Sequence, residues 1–272
     1  MGLGRWTITA ATITAATVMV TMLLGACGTG FEAPPTRPAP SGPDATSSTV
    51  TEPTTAPTTE AWSPHVITPI LDHPPTRTAA RATGPLDVFD SPESSRPSRV
   101  LDPETLLGTP TVVLVLGGTE AWLQVLVPGR PNGQTGWVRT TDVIRFEVGR
   151  QIVVDLTSRV LRVLDGGATI FETPVGVGSP SSPTPSGVFF VTDAVRITDP
   201  SGPWGPYALG LSARSDTVTE FNGGDGIIGI HGTNRPGSIG QAQSLGCIRV
   251  PNDAIPRIAE LVAVGSPVTI TS

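Results

Sequence analysis

The sequence predicts a mainly β protein: a small β-barrel-like module followed by a larger β-rich domain with one or two short helices. Three observations carry this. Short runs of alternating apolar and polar residues recur from Leu86 to the C-terminus, Gly, Pro and Asn clusters separate them, and an i, i+3, i+4, i+7 apolar stripe appears near residue 255.

Residues 1–27 read as an export signal. Arg5 supplies one positive charge, Trp6 to Leu24 is apolar or threonine-rich, and Leu24-Gly25-Ala26-Cys27 places small residues before a cysteine. This end resembles a bacterial lipobox, which implies that Cys27 is acylated and becomes the mature N-terminus. An uncleaved membrane anchor is the alternative, since the stretch is close to spanning length. Both readings put the remaining chain outside the cytoplasmic membrane, facing the wall and, with an acylated Cys27, lipid-anchored to the membrane's outer face. Residues 28–64 are rich in Pro, Thr, Ser and Ala with few large apolar residues, too few to offset the entropy of ordering, so an extended tether is expected there. A glycosylated or merely permissive linker fits the same composition.

Residues 65–145 contain the β-like runs LDVF, TVVLVL, WLQVLV and GWVR between turn signals. The segment from Trp122 to Arg139 resembles the end of a bacterial SH3-like domain, and its paired tryptophans, Trp122 and Trp137, are expected to fill a small barrel's interior. A role in wall contact is the alternative for this module.

Residues 146–272 form the second domain. QIVVDL and RVLRVLD alternate around Thr157-Ser158, and Gly166-Gly167 leads into ATIFETPVGVG as a meander. GVFFVT is a strand, GIIGI is a strand ending at His231, and CIRV is a strand carrying Cys247. A short helix is expected over residues 239–244. A second is expected over residues 253–264, with Asn252 or Asp253 as N-cap, Gly265 as terminator, and Ile255, Ile258, Ala259 and Val262 on its buried face. SPVTITS closes the sheet as a last strand.

Composition removes much competing chemistry. All 17 basic residues are arginine, which excludes the Walker-type phosphate loop, the Schiff base and the Ser-Lys dyad. Cys27 and Cys247 are far apart and the chain has three histidines, so a zinc site is not expected, nor is any other metal or cofactor. The formal net charge of −6 argues against a nucleic-acid partner. Past residue 73 the chain holds one histidine, His231, and one cysteine, Cys247. A thiol with an imidazole to take and return its proton is the minimum equipment for nucleophilic acyl transfer. A free thiol has a pKa of about 8.5, so Cys247 needs His231 to generate a thiolate. Gly246 permits close backbone approach, and main-chain N–H groups around Gly246 and Cys247 can meet an oxyanion. Arg249, two positions beyond Cys247, projects from the same strand face; it either pairs with a substrate carboxylate or forms a surface salt bridge.

The strand GIIGIHGTN, the intervening RPGSIGQAQ and the motif Ser244-Leu245-Gly246-Cys247-Ile248-Arg249 together resemble the L,D-transpeptidase, or YkuD, catalytic domain over about 125 residues. The family often has a histidine where this chain has Leu245. The resemblance implies Cys247 as nucleophile, His231 as general base and acid, and a backbone carbonyl, that of Gly232, as its orienter. It implies substrate contacts from Arg249, from Ser244 if it does more than shape the loop, and from Trp204 and Tyr207, which are equally explained as aromatic loop anchors. The implied partners are peptidoglycan stem peptides, with 3→3 cross-linking through a Cys thioester and loss of a terminal D-alanine, and carbapenem inhibition. The same site would serve an L,D-carboxypeptidase or a wall-protein ligase, and a catalytically idle wall-binding scaffold is the remaining alternative.

The N-terminal reading is testable by mass. In cells the protein is expected to carry an acylated Cys27 as its first residue, and globomycin is expected to leave the uncleaved precursor; an unlipidated full-length N-terminus would reject lipidation.

Overall fold

The computed structural model describes residues 78–221 and 223–272. Cys27, the tether over residues 28–64 and the start of the β module lie outside the described residues. The fold is mainly β with one α-helix, as predicted.

Among the described residues, seven strands precede residue 148: β1 (Thr78–Ala82), β2 (Leu86–Val88), β3 (Arg99–Leu101), β4 (Val112–Gly118), β5 (Trp122–Leu126), β6 (Thr135–Arg139) and β7 (Val143–Glu147). Five of them form an antiparallel sheet in the order β6-β5-β4-β1-β7, while β2 and β3 pair separately. The alternation of β-branched residues buries Val113, Val115, Leu123, Val125 and Val138 in one cluster with Ala80, Leu86 and Val88. Phe89, fully buried, takes the central aromatic position; Trp122 meets it edge-to-face at 5.1 Å. Trp122 and Trp137 are only half-buried, so the aliphatic strand residues fill more of the interior than the tryptophans do. Because β7 runs to Glu147, the expected domain boundary at 145/146 falls within a strand.

The second part comprises β8 (Arg150–Asp155), β9 (Val160–Asp165), β10 (Ala168–Pro174), β11 (Val177–Gly178), β12 (Gly187–Arg196), β13 (Tyr207–Arg214), β14 (Ile227–His231), β15 (Ala242–Ser244), β16 (Ile248–Arg249), α1 (Ala254–Leu261) and β17 (Pro267–Thr271). Eight strands make one sheet in the order β10-β9-β8-β17-β12-β13-β14-β16, parallel at β8–β17 and β14–β16 and antiparallel elsewhere. The C-terminal strand therefore sits inside the sheet rather than at its edge. Helix α1 ends at Leu261, earlier than expected, and places Ile255 and Ile258 in the core with no side-chain cap at Asp253. The helix expected over 239–244 does not form. Gly240 has a positive φ of 78°, and β15 instead pairs in parallel with β11, where Val177 and Ser179 N–H groups donate to the Gln241 and Ser244 carbonyls. That non-local ladder satisfies backbone groups that a six-residue helix would leave largely unpaired. Cys247 precedes β16 rather than lying in it.

Strand β12 joins the two sheets. Successive side chains point to opposite faces, so Phe189 enters the large core while Phe190 packs with Leu114 and Leu126 of the N-terminal sheet. Both rings are buried, and residues 78–272 fall in one compact unit. Phe190→Ala is expected to lower stability by about 3–5 kcal/mol in urea unfolding followed by tryptophan fluorescence.

Candidate functional site

The site forms where β14 and β16 run side by side. Their parallel register sets His231 level with Arg249, two residues beyond the level of Gly229 and Cys247. In extended backbone, side chains two apart share a face, so Cys247, Arg249 and His231 address one side of the sheet edge. Gly229 is the meeting point. Its N–H donates to Cys247 Sγ at 3.4 Å, and a Cβ added to it would lie 3.9 Å from His231 Cδ2.

His231 is buried at the end of β14, and its Nδ1 lies 2.6 Å from the Gly232 carbonyl oxygen. A carbonyl only accepts, so Nδ1 carries the proton and Nε2 presents a lone pair. The loop before β13 holds this arrangement. Gly205 and Gly232 approach so closely that a Cβ on either would collide with Asn252 Oδ1, which accepts the Thr233 N–H at 2.6 Å. Asn252 thus serves the His231 loop rather than capping α1. The same loop lays Trp204 on the imidazole, 4.6 Å between ring centroids. Tyr207 opens β13, packs against the large core and accepts the Gly232 N–H through its carbonyl.

The loop carrying Cys247 is tied at Ser244, Gly246 and Cys247. Ser244 Oγ donates to the Cys247 carbonyl at 2.6 Å and accepts the Gly246 N–H at 3.1 Å. The second bond bears on the expectation for Gly246, whose N–H donates to Ser244 in this structure. What Gly246 provides is conformation, since its φ is +116° and a Cβ there would sit 2.8 Å from Ile228 Cδ1. Its carbonyl accepts from Thr184 Oγ1 at 2.8 Å, and Thr184 in turn accepts the Gly178 N–H. Thr184, Asn252 and Gly229 escaped the sequence reading. Asn252 reads as a cap in the sequence.

Electrostatics favour a neutral pair. Burial pushes the His231 pKa down to about 4, with the Arg249 charge adding to the decrease against the Gly232 hydrogen bond. Burial pushes the Cys247 thiol up, opposed by the Gly229 N–H and by Arg249. Cys247 remains half-buried, and Arg249 has no ion-pair partner among the described residues. At neutral pH both groups therefore rest in their uncharged forms, as a thiol and a neutral imidazole. Among the described residues no cluster of three or more His, Cys, Asp or Glu could hold a metal ion.

The buried neutral imidazole also links folding to pH. The unfolded chain binds a proton at His231 near pH 6.5 and the folded chain only near 4, so stability falls as pH drops through that window. The loss attributable to His231 is expected to approach about 3 kcal/mol below pH 4. Urea unfolding from pH 7 to pH 4 should show a shallower decline in His231→Gln than in the wild type; parallel curves would contradict the buried neutral state.

Comparison with known proteins gives this geometry its context. Residues 149–270 match the family model of the L,D-transpeptidase catalytic domain. The YkuD protein of Bacillus licheniformis is 34% identical over 155 residues, 57% of this chain and 78% of that one. The YkuD protein of Bacillus subtilis is 31% identical over 153 residues, 56% and 77% of the two chains. The solved L,D-transpeptidase 3 from Mycobacterium tuberculosis, in complex with a faropenem-derived adduct, is 15% identical with a TM-score of 0.39, covering 59% of this chain and 81% of that one. With a third of the aligned positions identical across most of a curated relative's length, and with the matched segment enclosing both His231 and Cys247, this chain belongs to the L,D-transpeptidase family.

Proposed function

We propose that the protein forms 3→3 cross-links between peptidoglycan stem peptides, with Cys247 as nucleophile and His231 as general base and acid. The observation that carries this reading is the Nδ1–H tautomer of His231, fixed by the Gly232 carbonyl beside a thiol anchored at Gly229. As Sγ attacks the carbonyl carbon of the third stem residue, His231 Nε2 takes the thiol proton. The Cys247 N–H is the loop amide available to the developing oxyanion, since Ser244 occupies that of Gly246. The C–N bond to D-alanine then breaks, Nε2–H protonates the departing amine, and a thioester remains. An acceptor amine attacks the thioester carbonyl, giving its proton to Nε2. The new amide forms as the thiolate leaves and recovers that proton.

Arg249 supports this scheme in two ways. Its charge, unpaired among the described residues, suits a donor carboxylate, and it favours a thiolate developing at Cys247. Trp204 covers one face of the imidazole and supports a role as a wall of the donor cleft, which Tyr207 anchors from the core side. Cys27 would tether the enzyme to the membrane's outer face, with the segment before residue 65 giving it reach into the wall. The N-terminal β module, residues 65–145, belongs to this reading as an SH3-like companion of the catalytic domain over residues 146–272. Strained cyclic acyl donors of the carbapenem type would acylate the same sulfur.

Intact-protein mass spectrometry after incubation with meropenem is expected to show one adduct per chain in the wild type and none in Cys247→Ala. Tetrapeptide stems should give a 3→3 dimer with release of D-alanine. A folded wild type that forms no adduct would sink the acyl-transfer reading, and stem hydrolysis without dimer would make the protein a carboxypeptidase.

A further inference from the structure

We infer that Arg130, which lies outside the matched catalytic segment, is a positioning residue of this active site: with Asn132 it holds the loop between β13 and β14 as a wall against the nucleophile loop and the tilted Trp204–His231 ring pair. The inference rests on the acyl-transfer reading of Cys247 and His231.

The β5–β6 turn reaches across to that loop. Arg130 Nε donates to the Ser215 carbonyl at 3.0 Å, and one terminal nitrogen donates to the Asp225 carbonyl at 2.6 Å and to the Val218 carbonyl at 3.3 Å. A single guanidinium thus ties the loop's entry, its outgoing limb and its return. The Asn132 amide accepts the Arg214 N–H and donates to the Arg214 carbonyl, both at 2.8 Å, as a neighbouring strand would. The Gly129 N–H adds a bond to the Ser212 carbonyl. Among the described residues, the loop's own backbone is tied by Ser215 N–H to Gly226 and the reciprocal Phe221–Gly224 pair, and Ser215 Oγ accepts the Thr217 and Val218 N–H groups. The N-terminal turn adds the three Arg130 bonds to loop carbonyls.

The loop so held touches the site at three points. Ser215 Oγ lies 3.7 Å from the position a Gly246 Cβ would take. Thr217 Oγ1 is 2.8 Å from Ser182 Oγ, on the segment whose Thr184 anchors the Gly246 carbonyl. Phe221, 44% exposed, has its ring 6.1 Å from Trp204, which rests on His231. Releasing Arg130 would therefore loosen the cleft wall without touching Cys247 itself. Lysine cannot replace the fork, because one ammonium does not span three carbonyls held apart.

The test uses the full chain as wild type, Arg130→Ala, Arg130→Lys and Asn132→Asp. Four quantities are read: amide exchange in peptides covering residues 212–226, the rate of Cys247 acylation by meropenem, its alkylation by iodoacetamide, and Tm. Faster exchange confined to 212–226 is expected, with acylation slowed by about tenfold to a hundredfold in Arg130→Ala, smaller losses in Arg130→Lys and Asn132→Asp, and alkylation by the small reagent unchanged. The proposal is overturned by wild-type protection of 212–226, by a loosened loop with undiminished acylation, or by acylation and alkylation falling together with Tm. A wild type that is alkylated but never acylated marks the distinct failure of the acyl-transfer reading and takes this proposal with it.

Discussion

The hydrogen bond from His231 Nδ1 to the Gly232 carbonyl is the contact on which the site depends. An imidazole can carry its single proton on either nitrogen, and only one tautomer leaves Nε2 free to accept. No carboxylate is needed to make that choice, because the acceptor is the backbone of the next residue. The remaining scaffold keeps that carbonyl in place: Gly205 lets a neighbouring turn lie directly on Gly232, Asn252 anchors Thr233, and Trp204 closes over the ring. The ring so enclosed is buried, and burial is what keeps the imidazole uncharged well below its ordinary pKa.

The nucleophile loop follows the same economy. A preformed thiolate–imidazolium pair in this enclosed setting would carry the desolvation of two charges, and burial moves both groups towards their neutral forms. The loop is shaped by one serine that both donates and accepts, and by Thr184 at a sequence separation of 62 residues. Ser244 accordingly acts on conformation, holding both the Gly246 N–H and the Cys247 carbonyl.

Strand β12 explains why the N-terminal sheet is part of the structure's stability rather than an appendage. Two adjacent phenylalanines on a strand necessarily face opposite ways, and each finds a core. The sheet recruited by Phe190 also delivers the β5–β6 turn to the loop bordering the cleft. One apolar anchor and one polar strut thus connect the same two sheets at separate points.

Much of the strand plan was legible because alternation of apolar residues is a local signal that burial of one face enforces. His231 and Cys247 stood out because no other histidine or cysteine follows residue 73. Less was legible where a residue's partner is remote. Residues 239–244 looked helical by local pattern, yet β15 forms because β11, some sixty residues earlier, offers a ladder. Asn252 looked like a cap, but a polar group binds whichever partner folding brings within about 3 Å. The sequence by itself determined the residue chemistry, the period of each strand and the apolar face of α1. The tertiary structure alone decided which hydrogen-bonding groups are spent and which remain free, because hydrogen bonds are short-ranged and their partners here lie up to 117 residues apart.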